Sequence, residues 1–303
     1  MIASFEGAVT AAVLTLTALG LSLVFGVMRV VNVAHGEFFM LGAVLAWWIA
    51  TAIGGHPAYG FVAALVVAPL LVGLIAALAD MTILKRIDYD PERTIVATIG
   101  LLYIIQQVTL MTYGPEARPV EAPFNSRILL PLLDWSNGWP SLYYPTGWGA
   151  PSITSYKLFV IGAAAAVVFS VWILMTRTKI GLIMRATQLD GEMAQAFGIP
   201  IERVYAFVFG LGAALAALGA VLIVPIQQAH YLMGHDPLLL SFIVVIIGGL
   251  GSLPGTVVAA ILIGMSDGII SVFFTPTLAK IIATMLVALV LVFRPQGLFG
   301  TRA

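Results

Sequence analysis

The chain is 303 residues long, 61% hydrophobic and only 9% charged, with a mean hydropathy of +1.06 and a formal net charge of zero. Soluble domains carry about 25% charged residues, so this composition excludes a water-facing globule and points to an all-α, polytopic membrane protein whose surroundings are lipid. Zero net charge argues against nucleic acid as a partner, and the absence of cysteine excludes disulfides, thiolate chemistry and Cys-ligated metals.

A membrane span needs about 20 apolar residues. In chain order nine segments approach that: residues 8–28, 38–53, 58–79, 94–113, 157–175, 204–225, 238–250, 256–273 and 278–293. The second and seventh are short, which predicts tilted, re-entrant or broken helices. No basic residue precedes Arg29, so the N-terminus lacks the charged region of a cleavable signal and the first span is expected to direct insertion. With the N-terminus outside, ten basic residues fall in the cytoplasm: Arg29, Lys85, Arg86, Arg93, Arg177, Lys179, Arg185, Arg203, Arg294 and Arg302. Arg118, Arg127, Lys157 and Lys280 remain outside, and that bias fixes the orientation.

The first polar break is Arg29-Val30-Val31-Asn32-Val33-Ala34-His35-Gly36-Glu37. Polar groups so dense at a membrane boundary must face water, protein or each other. Asn32, His35 and Glu37 are therefore either elements of a translocation path or parts of a cytoplasmic turn in which Glu37 complements the N-terminus of the second span. In the fourth span, Gln106 and Gln107 read as path groups or as polar glue between helices. The 114–156 loop is external. Its seven prolines forbid long regular structure, and Trp135, Trp139, Tyr143, Tyr144 and Trp148 make it either a docking cap or an aromatic belt.

The 177–204 segment, RTKIGLIMRATQLDGEMAQAFGIPIERV, is the longest strongly polar stretch with helical character. Residues 188–197 are expected to form one short amphipathic helix, stopped by Gly198-Ile199-Pro200. Such a helix in the cytoplasm is what a membrane protein offers to a soluble partner. The sixth span carries Gly212, Ala216 and Ala220 at four-residue spacing, a stripe suited to close helix packing.

Gly248-Gly249-Leu250-Gly251-Ser252-Leu253-Pro254-Gly255 cannot continue a helix. Gly249, Gly251 and Ser252 either line the path or form a tight connection, with Ser252 able to N-cap the next span and Pro254 in its first turn. The Gly-punctuated breaks at 20–38 and 246–258 hint at an internal repeat, both turning on the same side. Asp267 is an intramembrane carboxylate and hence a candidate path group, unless it sits near enough to the outer end to be solvated. His35, His56, His230 and His235 make no zinc pattern, and no Walker A motif is present, so ATP chemistry must lie on another chain.

Three long motifs stand in order: GLSLVFGVMRVVNVAHGEFFMLGA from Gly20, TKIGLIMRATQLDGEMAQAFGI from Thr178 and IIGGLGSLPGTVVAAILIG from Ile246. Through them nearly the whole chain resembles the LivH-type permease subunits of branched-chain amino acid ABC importers. The resemblance implies a single transmembrane permease domain over 1–303 in a bacterial inner membrane. It further implies a homologous LivM-type permease, two cytoplasmic ATPases that carry the ATP and magnesium, and a periplasmic substrate-binding protein. This chain would itself hold no cofactor and perform no catalysis. Glu192, Ala194 and Gly198 fit the Glu-x-Ala-x-x-x-Gly pattern through which such permeases engage their ATPases, and Arg185 lies on the same segment. The external loop is longer than the family's, around 129–150. Similar permeases serve urea, short amides and aromatic acids, so those solutes stand beside amino acids. An ion-coupled secondary transporter using Asp267 and His35 is the alternative of a different class.

Overall fold

The computed structural model describes residues 2–129, 132–134, 141–143, 152–273, 278, 281, 282, 285 and 297–299. Helix α1 spans Ile2–Met28, α2 His35–Ile53, α3 Pro57–Thr82, α4 Pro91–Tyr113 and α5 Ser155–Arg177. Two short cytoplasmic helices follow, α6 Lys179–Leu189 and α7 Gly191–Ala196. Then come α8 Ile201–Gln227, α9 His235–Gly248 and α10 Leu253–Phe273. Among the described residues, seven helices are long and apolar enough to cross a membrane: α1–α5, α8 and α10. Helix α9, at 14 residues, covers only about 21 Å and cannot cross the roughly 30 Å hydrocarbon layer. The short seventh segment is thus a half-span. The expected ninth, 278–293, lies mostly outside the described residues.

Local chemistry explains several helix starts. Asp90 accepts a hydrogen bond from Arg93 N (2.9 Å) with Pro91 at the first position of α4. Thr178 does so for Gly181 N (3.1 Å) at α6, and Ser252 for Gly255 N (3.3 Å) at α10, the role its sequence context predicts. Helices α2 and α9 have no side-chain cap, and neither have α5 and α8.

The core is built on α1 and α8, which cross through the middle of the molecule. A Cβ on Gly20 would lie 2.3 Å from the Gly212 carbonyl oxygen, so these helices touch backbone to backbone and no larger residue fits at Gly20. The predicted small-residue stripe is therefore used within the fold: Gly212, Ala216 and Ala220 are all buried. Helices α4 and α5, buried along narrow strips only, lie at the periphery.

An inverted repeat organises this core. Helices α1 and α8 are each 27 residues long and each runs into a residue with positive φ, Arg29 at 56° and Gln228 at 65°. Non-helical chain follows each, 29–34 and 228–234. The next helix then opens on a histidine with an acid in its first turn, Glu37 in α2 and Asp236 in α9. Helix α3 packs on α8 as α10 packs on α1, and α2 lies against α8 as α9 lies against α1. Because α1 and α8 cross in opposite directions, the two triplets α1–α2–α3 and α8–α9–α10 are related as an inverted pair. This corrects the expected same-side pairing of 20–38 with 246–258. The counterpart of the first break is 228–234, on the external side, which carries a single glycine, Gly234, where the other two carry several.

The external loop holds two small antiparallel ladders, β1 Arg127–Leu129 with β4 Ser152–Thr154, and β2 Leu132–Asp134 with β3 Ser141–Tyr143. Each strand is three residues long, in keeping with the proline content. Trp135, Trp139, Tyr144 and Trp148 lie outside the described residues. The start of the loop is tied to the outer break: Arg118 and Ala229 exchange two backbone hydrogen bonds of 2.9 Å, and the Arg118 guanidinium sits over the Trp47 and Tyr113 rings.

Candidate functional site

The first break does not behave as a cytoplasmic turn. After Arg29 the chain folds back into the protein, so that Asn32 and His35 are fully buried and Glu37 is 1% exposed. His35 Nε2 donates to the Thr17 carbonyl oxygen at 2.9 Å, just past the midpoint of α1. A carbonyl can only accept, so Nε2 carries a proton and donates. His35 Nδ1, both amide atoms of Asn32 and Glu37 Oε2 have no hydrogen-bond partner among the described residues. Val33 N donates to Thr98 Oγ1 (3.2 Å), fastening the returning segment to α4.

The outer break comes down to meet it. A Cβ on Gly234 would lie 2.0 Å from the Gly36 carbonyl oxygen, so the openings of α2 and α9 are in direct backbone contact. Across this contact, Glu37 Oε1 lies 3.7 Å from His235 Nε2, and Gln106 Nε2 lies 3.3 Å from the same ring nitrogen. The structure thus brings together Asn32, His35 and Glu37 with three residues of other elements: Thr17, Gln106 and His235.

Asp267 stands elsewhere. With Thr10, Thr17, Gln227, His230 and Asp236 it lines a cavity of about 240 Å³ between the external halves of α1, α8, α9 and α10. Thr17 alone belongs to both places, lining this cavity while its carbonyl holds His35.

On the cytoplasmic side, Gly249 and Gly251 adopt φ of 100° and 78° in the turn from α9 to α10. Leu298 N and Phe299 N donate to the Ile247 and Gly248 carbonyls (2.7 and 3.2 Å), completing the end of α9. Gln188, near the end of α6, joins this turn to the first break. Its Nε2 donates to the Gly251 carbonyl (3.4 Å), while its own carbonyl accepts from Arg29 Nη2 (3.3 Å).

The expected continuous helix over 188–197 is broken. Asp190 leaves helical geometry (φ −153°, ψ 104°) and its carboxylate accepts from Met193 N (3.0 Å), starting α7 afresh. An Asp followed by Gly favours an N-cap over continuation, and that signal is visible in the sequence. Replacing Asp190 with Ala is expected to cost about 1 kcal/mol of local stability, read as faster hydrogen exchange across 191–197. Ala194 is buried, whereas Arg185, Glu192 and Gly198 are exposed. Leu189 (81%), Met193 (53%) and Phe197 (83%) are exposed apolar side chains on the same segment. Behind it, Tyr89 and Tyr205 meet edge to face at 4.7 Å, and Tyr89 Oη donates to the buried Asp80 carboxylate (3.4 Å). Burial first, and then the Asp80 charge, raise the Tyr89 hydroxyl above its ordinary range and keep it a donor.

Residues 3–291 match the family of branched-chain amino acid transport system permease components. The chain belongs to this family. The permease is 25% identical to the high-affinity branched-chain amino acid transport system permease protein LivH of Escherichia coli K12, over 98% of this chain and 94% of that one. Salmonella typhimurium LivH is likewise 25% identical, over 98% and 94%. BraD of Pseudomonas aeruginosa, of the same description, is 25% identical over 94% and 91%. No solved structure matches the chain. As a member of this family it is a multi-pass membrane permease that serves as one component of a transport system.

Sequence reasoning passed over Thr17, Gln188 and His235. Thr17 and Gln188 act through backbone carbonyls or an amide, which no motif announces. His235 was legible in principle: Gly234-His235-Asp236 echoes Ala34-His35-Gly36-Glu37, a small residue and a histidine followed by an acid at the opening of a helix.

Proposed function

We propose that this chain is the permease subunit of an ATP-powered importer that moves branched-chain or related hydrophobic amino acids into the cytoplasm. In this reading it pairs with a homologous LivM-type permease. Two cytoplasmic ATPases, which hold the ATP and magnesium, drive it, and a periplasmic binding protein delivers the solute to the external loop. The observation that carries the reading is the cytoplasmic segment from α6 to Gly198. It exposes Glu192 with Leu189, Met193 and Phe197 to water while anchoring itself by buried Ala194, and an apolar patch held in solvent is a docking surface. The solute is taken from the LivH and BraD relatives, which are branched-chain amino acid permeases.

ATP-driven movement of the docked ATPases would shift α6–α7. Gln188 then supplies the mechanical link, since it holds Gly251 and Arg29 at once and so reaches both cytoplasmic breaks. Purification from the native membrane is expected to bring down two soluble ATPases in stoichiometric amount. The partner binding protein is expected to bind leucine, isoleucine or valine in preference to urea and aromatic acids. Uptake by the purified chain alone under an ion gradient would overturn the importer reading, and preferential binding of urea would overturn the solute.

A further inference from the structure

Helices α2 and α9 begin side by side inside the protein, and neither has a side-chain cap. The partial positive charges of two helix N-termini are therefore concentrated at one place. Into that place is set Glu37, 1% exposed, with one carboxylate oxygen 3.7 Å from His235 Nε2 and the other without a partner among the described residues. His35 Nδ1 and both polar atoms of the Asn32 side chain, fully buried in the same break, are also unsatisfied. Native interiors leave few polar groups in that condition, and the exceptions need a reason.

Exposure supplies one. The His235 side chain is 53% exposed, and Gln106 on α4, at its ring nitrogen, is only partly buried. Lipid does not cover amides and an imidazole at this depth, so this face meets protein or a water-filled route. His235 is the step between that face and the buried Glu37, with Gln106 at 3.3 Å on one side and the carboxylate at 3.7 Å on the other.

We propose that the α2–α9 junction binds the head group of a zwitterionic α-amino acid in transit, with Glu37 receiving the ammonium group and His235, beside the positive ends of the two helices, receiving the carboxylate. This rests on the reading of the chain as an amino-acid importer and adds to it a selection step inside the permease. Two charges of opposite sign, a short distance apart, match a carboxylate set between two positive helix ends. Urea brings no charge to such a site, and an aromatic acid brings no ammonium for Glu37 Oε2. In the state described here the junction is closed over Glu37, and separation of Gly36 from Gly234 opens it.

The test uses the complete purified complex, checked first for its ATPases, without the binding protein. Its thermal midpoint is measured with leucine, with 4-methylpentanoate (no ammonium) and with 3-methylbutylamine (no carboxylate). Leucine is expected to raise the midpoint by several degrees and the two half-ligands to leave it in place. Glu37→Gln is expected to co-purify with its partners, lose the leucine shift and lower uptake about tenfold. If Glu37→Gln does not assemble, His235→Gln, at a half-exposed side chain, is measured in its place with the same expected loss. An equal shift from 4-methylpentanoate, or a full leucine shift in the assembled variant, overturns the site. A complex that holds ATPases and transports leucine but shows no leucine shift also overturns the site and leaves the importer standing. A complex without ATPases overturns the importer reading first.

Discussion

Gly234→Val and Gly36→Val are each expected to abolish uptake and to cut the yield of folded protein sharply. A Cβ on Gly234 would sit 2.0 Å from the Gly36 carbonyl oxygen, and one on Gly36 2.5 Å from the Gly234 carbonyl oxygen and 2.8 Å from Leu238 Cβ. The obstacle is mostly backbone, which cannot rotate aside as the end of a flexible side chain can. Overpacking a filled core costs about 1–3 kcal/mol where side chains can adjust, so rigid contact should reach or exceed the top of that range. The strain also falls where two uncapped helices meet, and moving them apart disturbs the Glu37–His235 approach. Gly162→Ala in α5 is the control, since a Cβ there meets nothing within 4 Å. It should leave yield and uptake unchanged. Fluorescence-detected size exclusion measures the first quantity and radiolabelled uptake the second. Wild-type behaviour from either valine variant would mean that the two breaks do not touch in the working protein.

The class of protein and the seven long crossings were legible because they depend on summed apolarity, which no single contact can override. The short seventh segment was legible for the same reason: it lacks the length to cross. What stayed hidden is relational. Residues 228–234 contain no glycine run and no Lys or Arg, so the outer break reads as the tail of an apolar helix. Its role is set by Gly36 and by Arg118, which lie about 200 and 110 residues away in the chain. Asn32, His35 and Glu37 were visible as a polar cluster in an apolar chain. That they are buried beside His235, and that Asp267 instead lines an outer cavity, follows only from the inverted packing of α1–α3 against α8–α10. The coupling segment shows the opposite failure: Asp190-Gly191 carried its cap in plain view, but the surrounding helix formers outweighed it.

The two cytoplasmic breaks and the α6–α7 segment form one connected piece. Arg29 closes α1, Gln188 ends α6 and Gly251 turns α9 into α10, and two hydrogen bonds of Gln188 hold all three. Gly26 reinforces this, since a Cβ there would be 3.1 Å from Gly251 Cα. A displacement of α6 is therefore delivered to α1 and α10 at once. These are the helices whose external halves wall the cavity with Thr17 and Asp267.

At the far end of that segment, Gly198→Pro is expected to leave the chain inserted and folded but to reduce uptake about tenfold or more, with Gly198→Ala milder and Gly198→Asn milder still. Gly198 has φ of 87°, and a Cβ built on it meets nothing within 4 Å. The constraint is thus conformational and not steric. An ordinary side chain pays about 1–2 kcal/mol for the left-handed region, and Asn pays less because it visits that region readily. Proline is held near −65° and cannot reach it. It also removes the N–H that donates to the Gln195 carbonyl at 2.9 Å, which closes α7 before Pro200. Glu192 and Phe197 would then be presented at a new angle, while Ala194 loses its seat beneath them. ATPase co-purification, ATP hydrolysis and uptake are measured together across the series. An order of Asn, Ala, Pro from mild to severe ties coupling to the turn. Equal activity in all three would show that the ATPases engage the permease without using the geometry of this corner.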